Sequence, residues 1–268
     1  MQTIDYVPER GDLMGWGDSR GNRSDRFLAC VAYLDGIHPS VVMCRGYYTR
    51  TVLAAFDWDG KELKQRWVFD SNNPGCEDYA GQGNHNLRVG DVDGDGCDEI
   101  IYGSCAIDHN GKGLYTTKMG HGDAIHLTHF DPSRKGLQVW DCHENKRDGS
   151  TYRDAATGEV LFQIKDNTDV GRCMAADIDP TQPGVEMWSV ASGGIRNVKG
   201  EVVKDRVRGL SCNMAVWWDG DLLRELLDRN IVSKYNWEKG VCERIAIFEG
   251  TLSNNGLKRI LAFREISW

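Results

Sequence analysis

The sequence predicts an all-β fold, a β-propeller of about five four-stranded repeats, on three observations. A loose repeat recurs along the chain, Asx-Gly turns punctuate it, and the densest acidic motif lies between two short apolar runs, as a loop joining two strands does. The pattern Leu87-Arg-Val-Gly-Asp-Val-Asp-Gly-Asp-Gly-Cys-Asp-Glu-Ile-Ile-Tyr102 returns in shape at residues 125–140 and 173–188, with a weaker copy at 32–43. Measured at an acidic or amide anchor, Glu99 to Gln138 is 39 residues and Gln138 to Glu186 is 48. A period of roughly 40–50 residues suits one propeller blade.

Taken in order, each copy is followed by a turn expected to join a second strand pair. These turns are Phe56-Asp-Trp-Asp-Gly60, Ile107-Asp-His-Asn-Gly111, Arg153-Asp-Ala-Ala-Thr-Gly158 and Trp217-Trp-Asp-Gly220. Asn-Gly and Asp-Gly favour hairpins because the central positions need positive φ. The segment Asp221-Leu-Leu-Arg-Glu-Leu-Leu-Asp228 admits two readings, an amphipathic helix or part of a hairpin, and the repeat phase favours the hairpin. No linker breaks the chain, so residues 1–268 are expected to form a single, partial propeller region.

Asp91, Asp93, Asp95 and Glu99 occupy positions 1, 3, 5 and 9 of an Asp-x-Asp-Gly-Asp-Gly-x-x-Glu loop, and Gly94 and Gly96 permit its tight curl. Hard oxygen ligands at this density suit Ca²⁺. Without a cation the carboxylates would repel one another. An EF-hand would place a bidentate Glu at position 12, where Tyr102 stands. Asp177, Asp179 and Glu186 keep much of the pattern with one residue inserted and are expected to hold a structural ion. The Asp131 copy ends in Gln138, lacks the fellow carboxylates, and is not expected to bind one.

A net charge of −8 and a pI near 5.4 argue against a nucleic-acid partner. No apolar run approaches the ~20 residues of a membrane span. The Met-Gln-Thr-Ile-Asp-Tyr-Val-Pro start shows no secretory leader, which predicts either a cytoplasmic protein or a chain that starts after its leader. Nine cysteines without metal-type spacing are read as free thiols. The sequence leaves the oligomeric state open.

Six segments carry a resemblance. They are Trp16-Gly-Asp-Ser-Arg-Gly-Asn-Arg-Ser-Asp-Arg-Phe-Leu-Ala, Met43-Cys-Arg-Gly-Tyr-Tyr-Thr-Arg-Thr-Val-Leu, Gly81-Gln-Gly-Asn-His-Asn-Leu, Gly120-His-Gly-Asp-Ala-Ile-His, Asp169-Val-Gly-Arg-Cys-Met-Ala-Ala-Asp-Ile-Asp-Pro and Ser253-Asn-Asn-Gly-Leu-Lys. In this order they resemble the rhamnogalacturonan lyases of polysaccharide lyase family 11, from about residue 5 to residue 258. The resemblance implies an eight-bladed, Ca²⁺-bearing propeller behind a small β-rich domain. It also implies secretion and cleavage of the rhamnose–galacturonate backbone of pectin, rhamnogalacturonan I, by β-elimination. Against that pattern this chain is expected to lack the N-terminal domain and first blades. Leu257 stands where the family usually has Thr, and a late acidic blade is compressed into Phe263-Arg-Glu-Ile-Ser-Trp268.

By the same resemblance His85, His121, Asp123 and Glu144 hold the active-site Ca²⁺. His121 and Asp123, two apart, would share a side of an extended strand. Histidine is an unusual Ca²⁺ ligand, which leaves a transition metal open. Lys258 is the implied base and Arg172 the implied charge stabiliser, with the roles open to exchange, and Asn255 and Gly256 would meet a rhamnose. Two rival readings stand beside the lyase. One is a non-catalytic, Ca²⁺-dependent carbohydrate-binding propeller. The other is an adhesion module, which rests on the loop at 91–99 alone.

Overall fold

Five antiparallel meanders follow one another in the computed structural model, which describes residues 2–248 except Asp18, Arg20 and Ser192. The first sheet is β1 (Phe27–Ala32), β2 (Ser40–Arg45), β3 (Val52–Trp58) and β4 (Leu63–Asp70). The second is β5 (Arg88–Gly90), β6 (Glu99–Ile101), β7 (Cys105–Ile107) and β8 (Gly113–Thr116). The third is β9 (Ile125–Thr128), β10 (Gln138–Cys142), β11 (Ser150–Asp154) and β12 (Val160–Ile164). The fourth is β13 (Cys173–Ala176), β14 (Glu186–Ser189), β15 (Gly194–Arg196) and β16 (Val202–Asp205). The fifth is β17 (Met214–Val216), β18 (Glu225–Asp228), β19 (Ile231–Asn236) and β20 (Val241–Ile247). Within each sheet the strands lie side by side in chain order. Among the described residues there is no α-helix, only 3-10 turns at Leu13–Trp16 and Glu77–Tyr79, and no helix long and apolar enough to cross a membrane.

The chain divides into two compact units, Met1–Cys173 with three sheets and the part from Met174 onward with two. Inside the first unit, two-residue alternation makes the central sheet face two cores at once. Ile100, Cys105 and Ile107 pack with Val42 and Leu53 of the first sheet and with Leu34 of its first connection. Their chain neighbours Ile101 and Ala106 pack with Ile125 and Val139 of the third. In the second unit Met174, Trp188, Ile195, Leu226 and Tyr235 form a corresponding core. Cys30, Cys44, Cys76, Cys97, Cys105, Cys142 and Cys242 are free thiols, as their scatter predicted.

One device recurs at the head of the second strand. Glu99, Gln138, Glu186 and Glu225 begin β6, β10, β14 and β18, and all four are fully buried. Each turns a side-chain oxygen back to accept a backbone N–H from the loop before it. The donors are Val92 at 2.8 Å, Phe130 at 3.0 Å, Ile178 at 2.8 Å and Trp218 at 2.7 Å. A buried acceptor so satisfied fixes the loop to the strand.

This pattern corrects one expectation. Trp217-Trp218-Asp219-Gly220 does not turn a second strand pair; it lies in the first connection of the fifth sheet, between β17 and β18. The equivalent turn of the fourth sheet is Asn197 to Gly200, closed by the Gly200 N–H on the Asn197 carbonyl at 2.9 Å. Residues 221–224 belong to the same connection and residues 225–228 to β18, so the segment is hairpin and not helix. Leu226 and Leu227 face cores while Leu222 is open to solvent.

Candidate metal centre

Connections of the first unit converge on one point. Tyr47 and Tyr48 come from between β2 and β3, and His85 from the approach to β5. His121 and Asp123 come from between β8 and β9, and Glu144 from between β10 and β11. Backbone pairing brings them together. Asn84 bridges Gly122 in parallel, and the His85 N–H donates to the Gly122 carbonyl at 3.3 Å. The Glu144 N–H donates to the His121 carbonyl at 3.0 Å. A Cβ at Gly122 would sit 2.0 Å from the Cys142 carbonyl oxygen, so only glycine allows this approach.

Behind the site lies a fully buried polar network. Asn84 donates to Asp141 at 2.7 Å, and Asp141 pairs with Arg153 at 2.9 Å, both charges fully buried. Arg153 also donates to the Gly103 carbonyl. Removing one partner of such a pair strands the other charge, at a cost of about 3–5 kcal/mol.

The imidazoles are oriented from outside the cluster. His121 Nδ1 lies 2.5 Å from the Gly83 carbonyl oxygen. A carbonyl only accepts, so Nδ1 carries the proton and Nε2 presents a lone pair. That Nε2 is buried and has no hydrogen-bond partner. The ring stacks on Tyr47 at 5.2 Å and 9° and leans on Tyr48 at 4.0 Å. Burial pushes the His121 pKa down to about 4, which keeps the ring neutral near pH 7. His85 Nδ1 meets the Tyr47 hydroxyl at 2.9 Å, and its Nε2 meets the Tyr48 hydroxyl at 3.1 Å and Asp123 Oδ1 at 2.9 Å. Burial would raise the Asp123 carboxyl, but the hydrogen bond from His85 overrides it and holds Asp123 below the usual range. Glu144, 3.4 Å from His121 Nε2, is raised by burial and by the nearby charges of Asp123 and Asp169.

One ligand atom from each of His85, His121, Asp123 and Glu144 lies within 4.8 Å of the others. Two mutually repelling carboxylates and a buried lone pair without a donor fit a divalent cation. The N₂O₂ set suits a d-block ion, or Ca²⁺ completed by further oxygens. Arg172 borders the cluster: its guanidinium lies 3.9 Å from Asp123, donates to the Gly171 carbonyl at 2.6 Å, and is 52 % exposed. Lys258, Asn255 and Gly256 lie outside the described residues.

The acidic loop at 91–99 is assembled differently. Asp91 accepts from the Gly94 and Gly96 N–H groups at 2.7 and 3.0 Å, and Asp93 and Asp95 each accept from the residue two ahead. Asp91, Asp93 and Glu99 come together, and Glu99 Oε1 is buried without a hydrogen-bond partner. Burial pushes the Glu99 carboxyl up to about 7. Asp95 turns instead toward His109 Nδ1 at 3.2 Å, and Asp108 and His109 join Glu99 from the far side. Glu186 repeats the buried, unpartnered oxygen, with its pKa pushed up to about 8 by burial. Asp177, Asp179 and Glu186 are not gathered as closely as the other groups: among the described residues their ligand atoms do not all fall within 4.8 Å. At Gln138 the amide nitrogen donates to the Gly136 carbonyl at 2.9 Å, so that loop closes on itself.

Reasoning from sequence missed Tyr47, Tyr48, Asp108 and His109, whose roles arise across loops. It also missed a fourth acidic connection, Asp219, Asp221 and Glu225, although the six-residue step from Asp219 to Glu225 repeats that from Asp93 to Glu99.

The chain is similar to known proteins over nearly its whole length. The family model described as "Rhamnogalacturonan lyase family 11, C-terminal domain" matches residues 1–264. The chain is 54 % identical to rhamnogalacturonan exolyase YesX of Bacillus subtilis (strain 168) across 96 % of its own length and 45 % of that protein. It is 50 % identical to rhamnogalacturonan endolyase YesW of the same organism across 96 % of its length and 41 % of that protein. The chain thus spans less than half the length of these relatives. Among solved structures it superposes on the Bacillus licheniformis rhamnogalacturonan lyase PL11 with a TM-score of 0.91 at 51 % identity, covering 95 % of this chain and 44 % of that one. It superposes on YesW with a TM-score of 0.89 at 50 % identity, covering 92 % and 42 %.

Proposed function

The chain belongs to rhamnogalacturonan lyase family 11, and on that premise we propose that its first unit supplies the cation site of a Ca²⁺-dependent lyase. The substrate is rhamnogalacturonan I, an anionic cell-wall polysaccharide cut at its rhamnose–galacturonate backbone by β-elimination. The observation that carries the reading is the convergence of His85, His121, Asp123 and Glu144, with the His121 lone pair unclaimed. The five meanders are read as blades of a propeller, supported by their chain-order topology and the recurring anchor at each second strand from β6 onward.

Elimination removes the C5 hydrogen of galacturonate as a proton, forms the C4–C5 double bond, and expels the glycosidic oxygen from C4. Ca²⁺ held by the four side chains would neutralise the uronate carboxylate and favour the charge that develops beside it. Arg172, exposed at the rim, takes the same carboxylate through a bidentate contact. Tyr47 and Tyr48 hold the imidazoles in place and keep water from their faces. Lys258 is assigned the base, and Asn255 and Gly256 the rhamnose contact. Incubation of the intact protein with rhamnogalacturonan I and Ca²⁺ should produce the ultraviolet absorbance of the new double bond. Chelator or His121→Gln should abolish it. A folded sample that binds Ca²⁺ at this cluster yet gives no absorbance rise refutes the lyase reading.

A further inference from the structure

The first connection of the fifth sheet repeats three of the backbone bonds of the second, with Trp217 standing where the second has Asp91 and its bonds to Gly94 and Gly96. The Asp221 N–H donates to Asp219 Oδ1 at 3.3 Å, as the Asp95 N–H does to Asp93 at 3.2 Å. The Leu223 N–H donates to Asp221 at 2.8 Å, as Cys97 does to Asp95 at 2.8 Å. Trp218 donates to Glu225 as Val92 donates to Glu99. The two loops differ in what faces the carboxylates. The Lys234 ammonium sits among Asp219, Asp221 at 2.5 Å and Glu225 Oε1 at 3.0 Å. The corresponding oxygen of the second sheet, Glu99 Oε1, has the His109 imidazole 3.6 Å away in place of an ammonium.

Strand register explains the exchange. Leu226 pairs with Ser233, which sets Glu225 opposite Lys234 one step along the ladder; Ile100 pairs with Ile107, which sets Glu99 opposite Asp108. A lysine therefore stands where the second sheet has a further carboxylate. Burial would lower the amine's pKa, but bonds to Asp219, Asp221 and Glu225 override it and keep the group firmly charged. An ammonium carries one charge and three donors, enough to satisfy three carboxylates in one place.

We propose that the Lys234 ammonium is the permanent cation of the fifth-sheet loop, which keeps its shape without a divalent ion, and that removing it opens a Ca²⁺ site among Asp219, Asp221 and Glu225. The inference does not depend on lyase activity.

Calorimetric Ca²⁺ titration of the intact protein, with melting curves in Ca²⁺ and in chelator, tests it. Lys234→Asp, which copies Asp108, should bind one more Ca²⁺ per chain than the wild type. The added site should vanish when Asp221→Asn is introduced as well, and chelator should lower the variant's melting temperature more than the wild type's. Recovery of folded Lys234→Asp only in the presence of Ca²⁺ is the same result in stronger form. Equal stoichiometry in folded wild type and Lys234→Asp overturns the proposal. So does loss of one bound ion when Asp221→Asn alone is made in the wild type, since the loop would then already hold metal. Should Lys234→Asp be recovered under neither condition, that single Asp221→Asn comparison decides, with unchanged stoichiometry upholding the proposal.

Discussion

The histidine cluster and the acidic loop both gather carboxylates in the first unit, yet they are stabilised in opposite ways. Around His121 both imidazoles are oriented by protein groups alone, His121 by the Gly83 carbonyl and Tyr47, and His85 by Tyr47, Tyr48 and Asp123. The loop from Asp91 to Glu99 is fixed mainly by its own backbone N–H groups, and its one buried carboxylate is left half satisfied. A site preorganised by its surroundings can devote a bound cation to chemistry. A loop that relies on the cation for neutrality uses it for stability.

The largest expected effect tests whether the scaffold is independent of metal. Arg153→Met leaves Asp141 buried and unpaired and should lower unfolding free energy by about 3–5 kcal/mol in denaturant titration, with or without Ca²⁺. If Ca²⁺ rescued that loss, the distinction between the two sites would fail. Next, His121→Gln should weaken cation binding at the cluster by about 100-fold or more, while melting in chelator changes little by comparison. Equal losses in affinity and in metal-free stability would mean that the ring is packing and not ligand.

A smaller effect comes from the Arg50–Asp70 pair, which contributes no ligand to either site. Burial works to raise the Asp70 carboxyl, and the Arg50 guanidinium, 2.5 Å away, overrides it and holds the group below the usual carboxylate range. With the folded value depressed, this contribution is present above the unfolded carboxyl pKa and is lost as pH falls through the folded one. Arg50→Met should cost about 2 kcal/mol at neutral pH and flatten the acid limb of the stability profile. The smallest expected change is Glu99→Gln, which copies Gln138. In chelator it should shift stability by about 1 kcal/mol or less, and the share of Ca²⁺ stabilisation expected from this loop should disappear. A Glu99→Gln protein still stabilised by Ca²⁺ through this loop would show that the buried carboxylate is not a ligand.

The parts of this architecture readable from sequence are those encoded within one connection. The Asp91–Glu99 loop and the turns at Asp59-Gly60 and Asn110-Gly111 announce themselves because their ligands and φ preferences are local. The misplaced Asp219-Gly220 shows the limit of that signal: Asp-Gly serves both the first and the third connection of a meander, and only pairing distinguishes them. The histidine cluster was named through resemblance, because it depends on Asn84 meeting Gly122 across 38 residues of sequence and on Glu144 arriving from the next sheet. Tyr47, Tyr48 and Lys234 were not legible, since their partners are set by register between strands or loops. The division at Cys173 leaves no trace in composition.

The buried anchors at the heads of the second strands have an evolutionary corollary. Because side chains alternate, sliding β6 by one position would trade Ile100 and Ile101 between their two cores and turn Glu99 away from the Val92 N–H it accepts. The stretch before the anchor carries no such phase, and the one ending at Glu186 is already a residue longer than the one ending at Glu99. Insertions and deletions can therefore accumulate ahead of each anchor but not behind it, which allows metal chemistry to diverge from sheet to sheet without disturbing the interior.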